Sequence, residues 1–172
     1  MRLLLLAAAV LLAACTRPRP AELVRAGSRF EVRGEDFSLA FPDGWVASAL
    51  EDGSWEAFPP KGQGARISFN AMRTWKRYDL DMSEAEMRRA MTKPGLAAPV
   101  VCEKGAHRSG LPTVYCSAFY SDPVMGLGRQ ATLRERDFFV VGVMNSTEDK
   151  RIAEAQAQSL ASLAFKEASD AR

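Results

Sequence analysis

A lone histidine, His107, and three cysteines, Cys15, Cys102 and Cys116, are the whole stock of imidazole and thiol chemistry in this sequence. One imidazole needs other ligands gathered beside it to hold a metal, and the GxSxG nucleophile elbow is absent. The stretch DLDMSE (79–84) has the DxDxS look of a calcium loop. Its sixth position is Glu84, where the sharp turn needs glycine, and its twelfth is Ala90, where a bidentate glutamate belongs. Asp79 and Asp81 are therefore expected only to solvate the approach to a helix. Gly126, Leu127 and Gly128 lack the remainder of a phosphate loop and read as a turn. A carboxylate pair for glycoside hydrolysis is defined by spatial separation, which spacing along the chain does not give. Trp45, Trp55 and Trp75 each sit near a strand end with polar neighbours and read as core or rim packing rather than as an indole-lined groove. The expectation is no catalytic residue, no metal and no cofactor, with His107 an exposed loop residue.

Cys15 ends the run RLLLLAAAVLLAAC. A single Arg2 followed by the unbroken apolar residues 3–14 is the charged and apolar part of a secretory signal. Twelve helical residues span about 18 Å, too short for a bilayer core of roughly 30 Å. Ordinary signal cleavage before Cys15 would put Leu12 where a small residue is wanted. Leu12, Ala13, Ala14 and Cys15 instead resemble the lipobox of bacterial lipoproteins. That resemblance implies a leader removed before Cys15, a diacylglycerol on its thiol and an acylated amine. Two or three acyl chains suffice for stable anchoring. Thr16, in place of an inner-membrane aspartate signal, favours the periplasmic face of the outer membrane.

An exported chain with two further cysteines favours a disulfide. In VVCEKGAHRSGLPTVYCSAFY, a hairpin with loop Arg108, Ser109 and Gly110 puts Cys102 and Cys116 equally far from its centre, as cross-strand partners. Gly110 stands where a three-residue loop needs a left-handed residue. Opposed Cα atoms of a non-hydrogen-bonded pair lie about 4.5 Å apart, within disulfide reach.

Loss of residues 1–14 leaves enough chain for one domain with a sizeable core. The net charge of +2, one unit of it from Arg2, is too small to argue for nucleic acid. Residues 16–29 carry Arg17, Arg19, Arg25 and Arg29 against Glu22, and TRPRPAE is stiffened by prolines. Residues 15–29 read as a lipidated tether whose arginines lie near anionic headgroups, each worth on the order of 1 kcal/mol. A single domain is expected over 30–166, with a tail at 167–172.

Within that domain Phe37, Leu39 and Phe41 alternate into the Pro-Asp-Gly turn of FPDGW, and WVASAL, SWEAF and ARISFNAM continue an antiparallel meander. The period then changes. Ser83 and Glu86 form a capping box, Met82 and Met87 a staple, and Pro94 a stop, with Met87, Ala90 and Met91 on one face. After the cysteine hairpin, GRQATLRER and FFVVGVMN form a second hairpin turning near Arg136 and Asp137. Its apolar second strand is expected to be central. Ser146 and Asp149 are candidate caps for a last helix striped by Ile152, Ala155, Ser159, Leu160 and Leu163.

Helices on a largely antiparallel sheet make an α+β domain. FPDGW and the closing SLASLAF, in this order of elements, resemble the PsbP-like superfamily, which includes the DcrB-like bacterial lipoproteins. The resemblance implies an α/β/α sandwich and a non-catalytic binding or accessory role, with an envelope protein or small ligand as partner. Two other functions fit the composition: an envelope hydrolase using carboxylates or an unrecognised serine, and a structural subunit of a membrane assembly.

Overall fold

The computed structural model describes residues 16–60, 64–75, 77–121, 123–146 and 149–166. Its strands are β1 (Thr16–Pro18), β2 (Ala21–Ala26), β3 (Arg29–Gly34), β4 (Phe37–Ala40), β5 (Val46–Ala49), β6 (Trp55–Phe58) and β7 (Ala65–Thr74). After helix α1 (Leu80–Met91) come β8 (Val101–Ala106), β9 (Pro112–Ser121), β10 (Val124–Arg134) and β11 (Asp137–Asn145), then helix α2 (Lys150–Ser162) and β12 (Ala164–Phe165). The α+β expectation holds, with the strands divided between two antiparallel sheets. The larger runs β5-β6-β7-β11-β10-β9-β8, with β1 added against β7, and the smaller runs β12-β4-β3-β2. The two-faced apolar strand β11 is indeed central.

Strand periodicity separates the two cores. In β7 the alternate residues Ala65, Ile67, Phe69 and Ala71 are buried, and they share a face with Phe139 and Val141 of β11. On that face lie the small sheet and α2, contributing Val32, Phe37, Leu39, Ile152 and Leu163. The Phe37 ring sits 5.9 Å from Phe69 and 5.0 Å from Phe139. On the opposite face α1 sets Met87 and Met91 against Val114, Cys116, Ala118, Tyr120 and Ala131.

The cysteine hairpin forms as its loop chemistry dictates. His107 and Leu111 close the loop (N···O 2.8 Å), Gly110 has φ 79°, and Cys102 faces Cys116 in register. Their Cα atoms are 4.1 Å apart and the sulfurs are bonded.

Four expectations are corrected. Residues 16–29 are not a tether: β1 pairs Thr16 with Thr74, and β2 pairs along all of β3 through the two-residue loop Gly27-Ser28. A Gly-led two-residue loop between alternating residues is itself a hairpin signal. The cap of α1 is Asp79, whose carboxylate accepts the Met82 amide at 2.8 Å. Ser83 lies buried one turn inside and Met82 is exposed, so neither box nor staple forms. Starting earlier lets Leu80 join the α1 core. Gly126 and Gly128 are no turn but lie within β10; a Cβ on Gly128 would stand 2.5 Å from the Tyr115 hydroxyl, so the glycine makes room for that ring. The second hairpin turns at Glu135 and Arg136, one residue earlier than expected. Of the two candidate caps for α2, Asp149 is the one used.

The cap assignment makes a ranking testable by urea unfolding. Asp79→Ala is expected to cost about 1 kcal/mol, and Ser83→Ala, which removes no cap and improves helix propensity, distinctly less. Reducing the disulfide is expected to cost ~3 kcal/mol, the loop-closure value for this separation.

Candidate functional site

The most concentrated polar structure in the described residues is at one end of the large sheet, where β1 begins, β7 ends and β10 turns into β11. Thr74 ties this end together, its amide and hydroxyl donating to the Arg136 carbonyl (2.8 and 3.1 Å). As the chain leaves β1 it crosses to the small sheet, and the Arg19 amide donates to the Ala71 carbonyl (2.8 Å).

That crossing buries the Arg19 guanidinium at 8% exposure beside Asp137 at 6%. Arg19 donates to Asp137 and, at 2.6 Å, to Asp36 in the turn between β3 and β4. Asp137 also receives both a 2.7 Å and a 2.9 Å bond from Arg73, a fork that pushes the Arg73 pKa further up. Arg134 reaches Asp36 at 3.3 Å. Charges taken as far from water as Arg19 and Asp137 persist only when each is paired and hydrogen-bonded. This set of three arginines and two aspartates meets that condition.

Outside the buried set lies a second layer. Trp75 is 71% exposed, unlike Trp45 and Trp55, which are in the core as expected. Arg17, Arg73, Thr74, Trp75 and Arg136 line a cleft of about 100 Å³. Trp75, Arg77, Glu135 and Arg136 line an adjoining one of about 370 Å³. Glu135 has φ 55° in a two-residue hairpin loop, a left-handed position normally given to glycine.

Beside this end, α1 and β10–β11 enclose a groove of about 250 Å³ in which Glu86 is the one carboxylate among the described lining residues. Tyr78 donates to Glu86 at 2.5 Å and stacks on Phe138 with centroids 5.4 Å apart. A wider recess of about 690 Å³ is bordered by both Asp79 and Glu135; the Asp79 carboxylate is turned into the helix as its cap.

Other residues singled out from sequence are placed as follows. Cys15 lies outside the described residues, and Cys102 and Cys116 are bonded to each other. His107 is in the loop as expected but is half-buried rather than exposed. It packs edge-on against Phe165 (5.5 Å), its Nδ1 is 2.8 Å from Ser109 Oγ, and burial followed by the Arg108 charge pushes its pKa down. Asp81 pairs with Lys104, and Glu84 with Lys104 at 3.0 Å and Arg88 at 2.7 Å. Hydrogen bonds from those cations hold the Glu84 carboxyl below its usual range. Among the described residues no three His, Cys, Asp or Glu side chains are gathered to hold a metal. Sequence reasoning missed Asp36, Asp137 and the association of Trp75 with Arg136, although an indole directly before Lys76 and Arg77 was visible.

Two substitutions probe the layers by urea unfolding. Asp137→Asn takes from buried Arg19 one of its two carboxylates and from Arg73 its forked acceptor, and is expected to cost about 2 kcal/mol. Glu135→Gly relieves the left-handed residue and is expected to gain about 1 kcal/mol.

No family model matches this chain, and no curated protein matches it.

Proposed function

We propose that this protein is a lipid-anchored lipoprotein of the bacterial cell envelope, held at the periplasmic face of the outer membrane. Its PsbP-like domain serves as a non-catalytic binding or accessory module for an envelope protein or small ligand. The observation that carries the reading is the lipobox cysteine set directly before a paired strand. Thr16 is already opposite Thr74, so cleavage before Cys15 would leave every described strand intact. A bonded cysteine pair suits an oxidising compartment.

Contact between SLASLAF and the residue leading into FPDGW supports the PsbP-like reading. In SLASLAF, Ser159 and Ser162 donate to the Ala40 carbonyl (2.7 and 3.0 Å), and Ser162 accepts the Ala40 amide (2.9 Å). Ala40 is the residue before FPDGW. Helix α1 on one face of the large sheet and α2 on the other supply the layering such a sandwich has. For the non-catalytic role, the support is that Asp36, Asp137, Asp81 and Glu84 are engaged by cations.

Protein extracted from membranes is expected to begin at Cys15 and to carry thioether-linked diacylglycerol, read by intact-mass spectrometry. Cys15→Ser is expected to accumulate with its leader uncut. An unmodified wild-type Cys15, or a mature chain starting elsewhere, would overturn the anchor. Affinity capture from detergent-solubilised membranes then identifies the partner.

A further inference from the structure

We infer that the Trp75 end of the large sheet is a docking surface for anionic phospholipid. It would lay the domain directly on the membrane rather than let it hang from its anchor. The inference rests on the proposed anchor in one respect only, that Cys15 adjoins this end. Thr16 is opposite Thr74, and the preceding residue's Cα is about 3.8 Å from that of Thr16 by covalent geometry. A lipid on Cys15 would therefore enter the bilayer beside Trp75, with β1 hydrogen-bonded in place and no slack chain between.

The chemistry at this end matches a headgroup layer. An exposed indole is the side chain that settles at a membrane interface, its ring in the apolar boundary and its N–H in the wet region. Arg17, Arg77 and Arg136 are exposed around it and have no ionic partner among the described residues. Asp36 and Asp137, which would otherwise cancel them, are held by Arg19, Arg73 and Arg134. Among the described residues, Glu135 is the one acid lining the clefts around Trp75. The buried ion set thus does two things. It closes the crossing between sheets, and it leaves a surplus of guanidinium groups facing outward, where each gains on approaching anionic lipid. Docked this way, the domain would point the far end of β9 and β10, with exposed Phe119 and Val124, away from the membrane.

The test uses the membrane-extracted protein reconstituted into vesicles of phosphatidylethanolamine and phosphatidylglycerol, or of phosphatidylcholine alone, each containing phospholipid brominated close to the headgroup. Subtracting the Trp75→Phe emission isolates this indole, since Trp45 and Trp55 are buried. Trp75 is expected to be quenched and blue-shifted in the phosphatidylglycerol vesicles and much less so in phosphatidylcholine. Added salt should weaken the quenching. In Arg17→Gln, Arg77→Gln and Arg136→Gln, the ratio of docked to undocked domain is expected to fall about fivefold for each guanidinium removed. These side chains hold no ion pair among the described residues, so the fold should keep its melting temperature. No quenching in any vesicle, or quenching indifferent to lipid charge and to the three substitutions, overturns the surface. Intact mass of the same preparation reports separately on Cys15. If that residue carries no lipid, the anchor fails, and charge-dependent co-sedimentation with the vesicles still tests the surface.

Discussion

Arg19, buried between Asp36 and Asp137, is the interaction on which the arrangement of this molecule turns. Its backbone is where the chain passes from the large sheet to the small one. Its guanidinium joins a turn of the small sheet to the first residue of β11, the central strand. The same group lies over the Phe37 ring at 5.9 Å, and Phe37 is the ring that packs on both Phe69 and Phe139. A buried ion set of this kind is a weak source of net stability, because desolvation offsets much of the attraction. Its effect is on arrangement. A small sheet docked in any other register would take Asp36 away from Arg19 and Arg134 and leave buried Arg19 with only one of its two carboxylates, a loss of charge pairing that costs more than a lost apolar contact.

With that crossing settled, the rest is packing on the two faces of one sheet. The small sheet and α2 cover the face carrying Phe69 and Phe139, and α1 covers the other face towards β8–β10. Helix α2 also stitches its neighbour through polar bonds. Besides the serines at Ala40, Gln156 is buried and donates to the Met144 carbonyl at 2.7 Å. A glutamine in a helix stripe is thus accounted for by a strand-end carbonyl that needs a donor.

What was legible in the sequence was local. The hairpin joining Cys102 to Cys116 follows from Gly110 and from counting outward, so loop and disulfide were both available before any coordinates. The burial of Phe37, Leu39, Phe41, Met87 and Met91 follows from period. What was not legible depends on distant partners. Arg19 and Asp137 are 118 residues apart, and nothing near either one announces the other. TRPRPAE reads as linker because prolines and arginines dominate it, yet Pro18 ends a short strand on β7 and Arg19 is buried, while the Gly27-Ser28 loop was a hairpin signal overshadowed by its charged surroundings. Asp79 and Ser83 were both competent caps, and only the packing of Leu80 on the α1 core decides between them. Gly128 looked like a turn because the ring that fills its empty side, Tyr115, comes from another strand.

If Arg19 is the pin of this structure, the N-terminal segment is part of the folded domain and not a leash. Native-state amide hydrogen exchange on the full chain reads this residue by residue. The account predicts that the Arg19 amide, bonded to the Ala71 carbonyl, and the paired amides of β2 and β3 exchange slowly, on the scale of the interior of β7. Exchange of Arg19 and β2 at open-chain rates, while β7 stays protected, would contradict it and return residues 16–29 to the status of a tether.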